Sequence, residues 1–103
     1  MTNINTQVYS IEDIRSILKS NENTLREKFK AVKFYLFGSY ARGEQTPESD
    51  IDLLVEFSEP VGFEFIDLKD ELETIFRKNV DLGTPKGIKS FVRDRILKEA
   101  VAL

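Results

Sequence analysis

The chain of 103 residues contains no cysteine and no histidine, and each absence excludes a class of chemistry. Without cysteine there are no disulfide bonds and no thiol nucleophile, which suits a reducing cytoplasm. Without histidine the chain lacks the most common general base and cannot build a histidine metal site. Acid–base and metal chemistry are therefore left to carboxylates.

Long apolar runs, repeats and low-complexity tracts are also missing. No stretch approaches the length of a membrane span, and the N-terminus lacks the basic-then-apolar pattern of a signal peptide, so we expect a cytoplasmic protein without membrane contact. A net charge of −3 without any basic run argues against nucleic acid as a direct ligand. The length of 103 residues predicts one domain over residues 1–103, and the hydrophobic content of 41% is enough for a compact core. Residues 1–9 are polar, so we expect a loose N-terminal segment there.

One pattern near the middle of the chain brings two carboxylates together. An apolar run ends at Gly38-Ser39, and ten residues later Asp50 and Asp52 flank the start of a second apolar run. Side chains alternate faces along a strand, so both carboxylates would point the same way, about 6–7 Å apart. At an effective dielectric near 20 the two carboxylates would repel each other by roughly 2–3 kcal/mol. A divalent cation bound between them would neutralise this repulsion. All-oxygen ligation favours Mg²⁺ or Mn²⁺ over zinc.

The Gly-Ser turn predicts an anion-binding site beside these carboxylates. Glycine at position 38 lets the backbone approach a ligand closely, and the free amides of a helix that starts near Ser39 favour an anion. Arg42, one turn later, can bind the same anion bidentately. The alternative is a plain hairpin, in which Asp50 caps a turn and Asp52 is merely exposed.

Periodicity along the rest of the chain predicts an α/β fold, with a short mixed β-sheet and α-helices packed mainly on one face. The spacing of apolar residues indicates strands over residues 33–37, 51–57 and 79–83, and helices over residues 11–29 and 63–77 and from Thr84-Pro85 onward. The last helix is predicted to bury an apolar stripe: Ile88, Phe91, Val92 and Ile96. Its cations either face solvent or meet an acidic partner or the nucleotide phosphates: Lys86, Lys89, Arg93 and Arg95. Two loop glutamates are either further metal ligands or solvated charges: Glu44 and Glu48.

The central pattern resembles a known family. A Gly-Ser pair that is followed, after ten residues, by Asp-x-Asp is similar to the signature of the DNA polymerase beta-type nucleotidyltransferase superfamily. Residues 37–55 closely resemble the minimal nucleotidyltransferases, which are antitoxin partners of HEPN-domain toxins, and the similarity runs from about Ile11 to Leu103. On the residues alone, Asp81 could be an ordinary turn residue. The resemblance implies that it joins the other two aspartates as a third carboxylate.

The resemblance also implies an activity. It points to a protein adenylyltransferase that transfers AMP from ATP to a tyrosine hydroxyl of a partner HEPN toxin and so silences it. Two Mg²⁺ ions would be held by three catalytic carboxylates: Asp50, Asp52 and Asp81. The nucleotide phosphates would lie against Gly38, Ser39 and Arg42.

The sequence leaves two other functions open. The chain could be a non-catalytic antitoxin that neutralises the toxin by covering it, or a nucleotidyltransferase that modifies a small molecule. Relatives with small-molecule acceptors carry an additional domain, for which 103 residues leave little room. A domain of this size offers few walls around a nucleotide, so we expect a second protein to close the cleft in a hetero-oligomer.

Overall fold

The computed structural model describes residues 8–87, Asp94, Ile96 and residues 98–103. In chain order, its elements are α1 (Ile11–Ser20), α2 (Glu22–Phe29), β1 (Ala31–Phe37), α3 (Gly38–Arg42), β2 (Ile51–Phe57), α4 (Glu64–Phe76), β3 (Val80–Gly83), a 3-10 turn (Pro85–Gly87) and β4 (Val101–Ala102). The strands form a four-stranded sheet in the order β3-β2-β1-β4. β1 runs antiparallel to β2 and β4, while β2 and β3 are parallel. The predicted α/β class with a short mixed sheet is confirmed.

Some predictions concern residues outside this description. The loose segment 1–9 is described only from Val8 onward. Most of the stripe and the cations of the last helix also lie outside the described residues: Ile88, Lys89, Phe91, Val92, Arg93 and Arg95. Within the described part of the chain, no helix is long and apolar enough to cross a membrane.

The first helical segment, predicted over residues 11–29, is divided in two at Asn21. Ser10 and Asp13 form a capping box at the start of α1. The Ser10 N–H donates to the Asp13 carboxylate and the Asp13 N–H donates to the Ser10 hydroxyl, both at 3.0 Å. Asn21 ends α1 and begins α2, and its side-chain amide donates to the Ile17 carbonyl at 2.8 Å. These hydrogen bonds satisfy backbone N–H and C=O groups that have no partner within a helix at its ends.

The core lies between one face of the sheet and the helices α1, α2 and α4. Three alternate residues of β2 are fully buried there: Ile51, Leu53 and Val55. α4 packs against them with three side chains that are equally buried: Leu68, Leu72 and Phe76. Because side chains alternate along a strand, Asp52 and the buried Leu54 face the opposite side of the sheet. Packing on one face therefore fixes which residues of β2 point away from the core.

Candidate active site

The register of the sheet brings two of the predicted carboxylates side by side. Asp52 of β2 pairs directly with Asp81 of β3. Ile51 and Val80, which directly precede the two aspartates, pair with each other and are buried in the core. The two aspartates therefore share the face that points away from the core, with their strands about 4.8 Å apart. This pairing is the arrangement that the resemblance implied for Asp81.

Asp50 lies just outside the strand and is exposed. β2 begins at Ile51, whose N–H donates to the Asn79 carbonyl at 3.0 Å and so fixes the position of its neighbour. The preceding loop is closed by a turn in which the Thr46 N–H donates to the Ser49 hydroxyl at 2.9 Å. Asp50 is thus held near the start of β2, although it is not itself part of the strand.

The pKa of Asp52 shows that the three aspartates influence one another electrostatically. The pKa of Asp52 is raised to about 6, first because its carboxyl is partly buried and then because Asp81 and Asp50 are negative. The positive charge of Arg42 acts in the opposite direction and lowers that pKa. The site therefore holds negative charge at a cost that a bound cation would remove.

The donor atoms of the site suit a divalent cation. In the part of the chain that the structure describes, no three acidic side chains are already grouped to ligate one metal ion. Like charges without a counter-ion repel one another, and Asp52 interacts with both Asp50 and Asp81. Carboxylate oxygens alone are ligands that Mg²⁺ and Mn²⁺ accept, so the residues fit such an ion by their chemistry.

Gly38 makes room for the Asp52 carboxylate. It follows Phe37, which pairs with Asp52 across the β1–β2 ladder. A Cβ atom at Gly38 would lie 2.1 Å from Oδ2 of Asp52, far inside van der Waals contact. The backbone φ of Gly38 is also +72°, a value that side chains disfavour. Glycine is therefore required here both by conformation and by the carboxylate beside it.

α3 presents Ser39 next to this glycine. The helix begins at Gly38, one residue before the predicted start near Ser39. Ser39 is half-buried in its first turn, and the next residue, Tyr40, is fully buried and anchors α3 in the core. Gly38, Ser39 and Asp52 are thus neighbours at one end of the sheet, as the central pattern predicts.

Arg42 is engaged by two glutamates. Its Nε donates to Oε1 of Glu44 at 2.7 Å, and its Nη1 lies 3.5 Å from Oε2 of Glu99. The hydrogen bond to Glu44 is the main cause of a raised pKa for the guanidinium. Of the two loop glutamates, Glu44 is therefore an ion-pair partner, and Glu48 is exposed. A phosphate-binding role for Arg42 stays a prediction.

Comparison with known proteins identifies the family. The model of the nucleotidyltransferase domain family matches residues 18–103. The chain belongs to this nucleotidyltransferase family. Protein adenylyltransferase MntA of Thermococcus cleftensis is 40% identical over 93 residues, which cover 89% of this chain and 94% of that protein. A relative from Methanocaldococcus jannaschii is 42% identical over 96 residues, which cover 89% of this chain and 96% of the relative.

Solved structures resemble this nucleotidyltransferase closely in fold. One described as a minimal nucleotidyltransferase is 33% identical, with a TM-score of 0.76, and the match covers 92% of this chain and 97% of that one. A Shewanella oneidensis complex of a tri-AMPylated HEPN toxin with an MNT antitoxin matches at 22% identity and a TM-score of 0.54. That match covers 82% of this chain and 69% of that one, and it shows the shared fold alone. The chain is a nucleotidyltransferase enzyme, of a family that uses a nucleotide substrate and a divalent metal.

Three residues that support the site of this nucleotidyltransferase were missed by sequence reasoning. Tyr40 anchors α3, Glu99 pairs with Arg42, and the Gln45 amide donates to the Tyr9 carbonyl at 2.9 Å. The large aromatic ring of Tyr40 beside the Gly-Ser turn was a usable signal of burial. Glu99 and Gln45 act through partners far along the chain, which no local pattern reveals.

Proposed function

We propose that this nucleotidyltransferase transfers AMP from ATP to a tyrosine hydroxyl of a partner HEPN toxin and thereby neutralises the toxin. The single observation that carries the proposal is the pairing of Asp52 with Asp81 beside the Gly38 turn. It supports a site where a metal-bound triphosphate and an acceptor hydroxyl meet at one end of the sheet.

The carboxylates are assigned to the cations. Asp50, Asp52 and Asp81 would hold two Mg²⁺ ions, with Asp52 between the other two. Bound there, the ions would activate the attacking hydroxyl and neutralise charge on the triphosphate and on the leaving pyrophosphate. The raised pKa of Asp52 supports this assignment, because the repulsion that raises it is relieved by a cation.

The turn at the end of β1 is assigned to the nucleotide. The amides and the hydroxyl at Gly38 and Ser39 would hold the β- and γ-phosphates, next to the carboxylates that would bind the metal. Arg42 would support them from the following turn of α3, either by contact or by stiffening the loop. Its exposed guanidinium and its influence on Asp52 support a place close to the phosphates.

The transfer step is an in-line displacement at phosphorus. The tyrosine oxygen attacks the α-phosphorus of ATP, a new O–P bond forms, and the bond to the β-phosphate oxygen breaks to release pyrophosphate. Asp81 would accept the hydroxyl proton, because it is exposed on the outer side of the carboxylate pair. Without histidine or cysteine in the chain, positioning and charge must supply most of the catalysis.

A protein acceptor is supported by the relatives. The MntA relative is named as a protein adenylyltransferase, and several structures with the same fold are complexes of toxin and antitoxin. The small domain also leaves the site open, so a protein surface can approach it directly.

One labelling experiment tests the proposal. The chain is incubated with its HEPN toxin, α-labelled ATP and Mg²⁺, and transfer of label to the toxin is followed. The wild type should label a tyrosine of the toxin. The double variant Asp50→Asn/Asp52→Asn should remain folded, as judged by circular dichroism, and should label nothing.

A matched control separates the site from general charge effects. Asp67 and Asp70 lie exposed on α4, so Asp67→Asn/Asp70→Asn makes the same change of charge away from the site. This control should label the toxin like the wild type. Labelling by the folded Asp50→Asn/Asp52→Asn variant would overturn the assignment of the carboxylates. A variant that neutralises the toxin without labelling it would favour neutralisation by binding.

A further inference from the structure

The edge of β1 is left partly unpaired at the end away from the active site. β4 pairs with Tyr35 and Leu36, and the Leu103 N–H donates to the Phe34 carbonyl at 3.0 Å. Among the described residues, no strand lies on this side of β1 from Ala31 to Lys33. Within the described residues, about 10 Å of strand edge is therefore open, and open strand edges accept further strands.

A groove runs along this open edge. It has a volume of about 360 Å³ and lies between β1, the helices α1 and α2, and the residues at the C-terminal end of the chain. Leu18, Leu25 and Phe34 form the apolar floor of this groove, and each of them is almost fully buried in the core. Val32, at the bulge between β1 and β2, is 41% exposed beside it. The groove thus combines an unpaired strand edge with an apolar lining, which suits an extended chain.

The charges around the groove favour an acidic occupant. Three cations and one carboxylate line it: Arg15, Lys19, Lys33 and Glu22. Glu22 already pairs with Arg26 at 3.3 Å, and Arg15 pairs with Glu12 and donates to the Ala102 carbonyl at 2.9 Å. Within the described residues, neither Lys19 nor Lys33 forms an ion pair, although the Lys33 ammonium lies 5.2 Å from the centre of the Tyr35 ring. In a chain of net charge −3, this is a local positive region.

We propose that this groove docks an extended, acidic segment of the protein substrate, which adds to β1 as a strand next to the apolar lining. The segment would continue the line of β4 and place carboxylates near Lys19 and Lys33. The inference rests on the proposed function, since it takes the docked protein to be the HEPN toxin that receives AMP.

The position of the groove suits a docking site separate from the chemistry. The residues from Ala31 to Phe37 span about 20 Å of strand, so the groove and the Gly38 turn lie at opposite ends of β1. A substrate held at the groove leaves the carboxylates free to act on another part of the same protein. Docking should therefore affect the affinity for the toxin and not the rate of AMP transfer within the bound complex.

Charge reversal measures the contribution of the groove to affinity. Lys19→Glu/Lys33→Glu should raise the Kd for the toxin about tenfold, with a smaller effect at high salt. The KM for the toxin should rise while kcat at saturating toxin stays unchanged. Lys28→Glu/Lys69→Glu makes the same change of charge elsewhere on the surface and should alter Kd by less than about twofold. Equal effects of the two variants on Kd would overturn the inference.

Site-directed cross-linking identifies what occupies the groove. The chain has no cysteine, so Val32→Cys carries a single thiol that can be labelled with a photoreactive group. In the complex with the toxin, it should cross-link to an extended segment rich in Asp and Glu. Ile66→Cys on α4, where Ile66 is 59% exposed, is the comparison site and should give little product.

The outcomes separate this inference from the proposed function. Cross-linking from Ile66→Cys and not from Val32→Cys would overturn the docking site, even if AMP transfer is intact. Cross-linking of Val32→Cys to a second copy of this chain would overturn it as well. Cross-linking to the acidic segment without any AMP transfer would support the docking site and contradict the proposed function.

Discussion

The two faces of β2 have opposite properties. On the core face, Ile51, Leu53 and Val55 are fully buried among the helices. On the other face, Asp52 is half-buried beside Asp81, with Asp50 close enough to act on it electrostatically. Burial stabilises the fold on the first face, whereas burial and like charges on the second raise the pKa of a carboxyl. The contrast indicates that stability and the proposed catalysis depend on alternate residues of one strand and should respond to different substitutions.

The largest expected effect comes from the charged face. Asp52→Asn should lower AMP transfer by about 10³-fold or more, because it removes a ligand of both proposed cations. It should also raise the free energy of unfolding of the metal-free protein by about 1 kcal/mol, since it removes a charge that is partly buried and repelled by two neighbours, with solvent screening part of the effect. Transfer assays and thermal unfolding check the two expectations together. A less stable, still active variant would contradict the contrast between the faces.

A substitution on the core side should have the reverse effect. Leu72→Ala on α4, where Leu72 is fully buried, should lower the free energy of unfolding by about 3 kcal/mol through the lost contacts and the cavity. The rate of transfer per folded molecule should stay near that of the wild type below the unfolding transition. Urea unfolding and assays at low temperature measure the two quantities. A large loss of kcat in the folded variant would show that the two faces are coupled.

Gly38→Ala sharpens the comparison at the boundary between packing and site. The new Cβ would collide with Oδ2 of Asp52 and displace the carboxylate, so transfer should fall by about 100-fold. Gly43→Ala is the matched control, since its φ is +71° but no atom lies within 4 Å of the added Cβ. Both variants should lose a similar amount of stability to backbone strain, about 1 kcal/mol. Equal losses of activity in both would show that strain, and not the collision, determines the effect.

The smallest effect concerns pH. The pKa of Asp52 is about 6 in the folded chain, compared with an ordinary value of 3.8. Between these values the folded state binds more protons than the unfolded state, so the contribution of Asp52 to stability decreases as pH rises from about 4 to 6. The change for the metal-free protein should be about 1 kcal/mol after solvent screening. Denaturant titrations of the wild type and of Asp52→Asn should differ in this window, and parallel pH profiles would contradict it.

Much of this contrast could be read from the sequence, because alternation in β2 is a local property. The apolar residues at 51, 53 and 55 predict a buried face and so place Asp52 on the other side. The capping box of Ser10 and Asp13 is also local, since it joins residues three apart in the sequence. The pairing of Asp52 with Asp81 is not local, because the parallel register depends on how α4, which connects the two strands along the chain, packs on the sheet. Only the family resemblance suggested this pairing.

Other features of the site depend on contacts between distant parts of the chain. The need for glycine at position 38 arises partly from the Asp52 side chain on another strand. The ion pair between Arg42 and Glu99 joins α3 to residues near the C-terminus. β4 has only two residues, too few for any alternation to be recognised. These features were therefore accessible only from the three-dimensional arrangement.

The position of β3 at the edge of the described sheet has a consequence for how the site is assembled. β3 has four residues and pairs only with β2 among the described strands, yet it supplies Asp81. Short edge strands open locally more easily than central ones, so this aspartate can leave the site while the core remains folded. If Asp81 holds a cation as proposed, cation binding and the ordering of β3 are thermodynamically linked: ions that bind the closed arrangement would slow amide exchange at Val80–Gly83, and fraying of this strand would release metal.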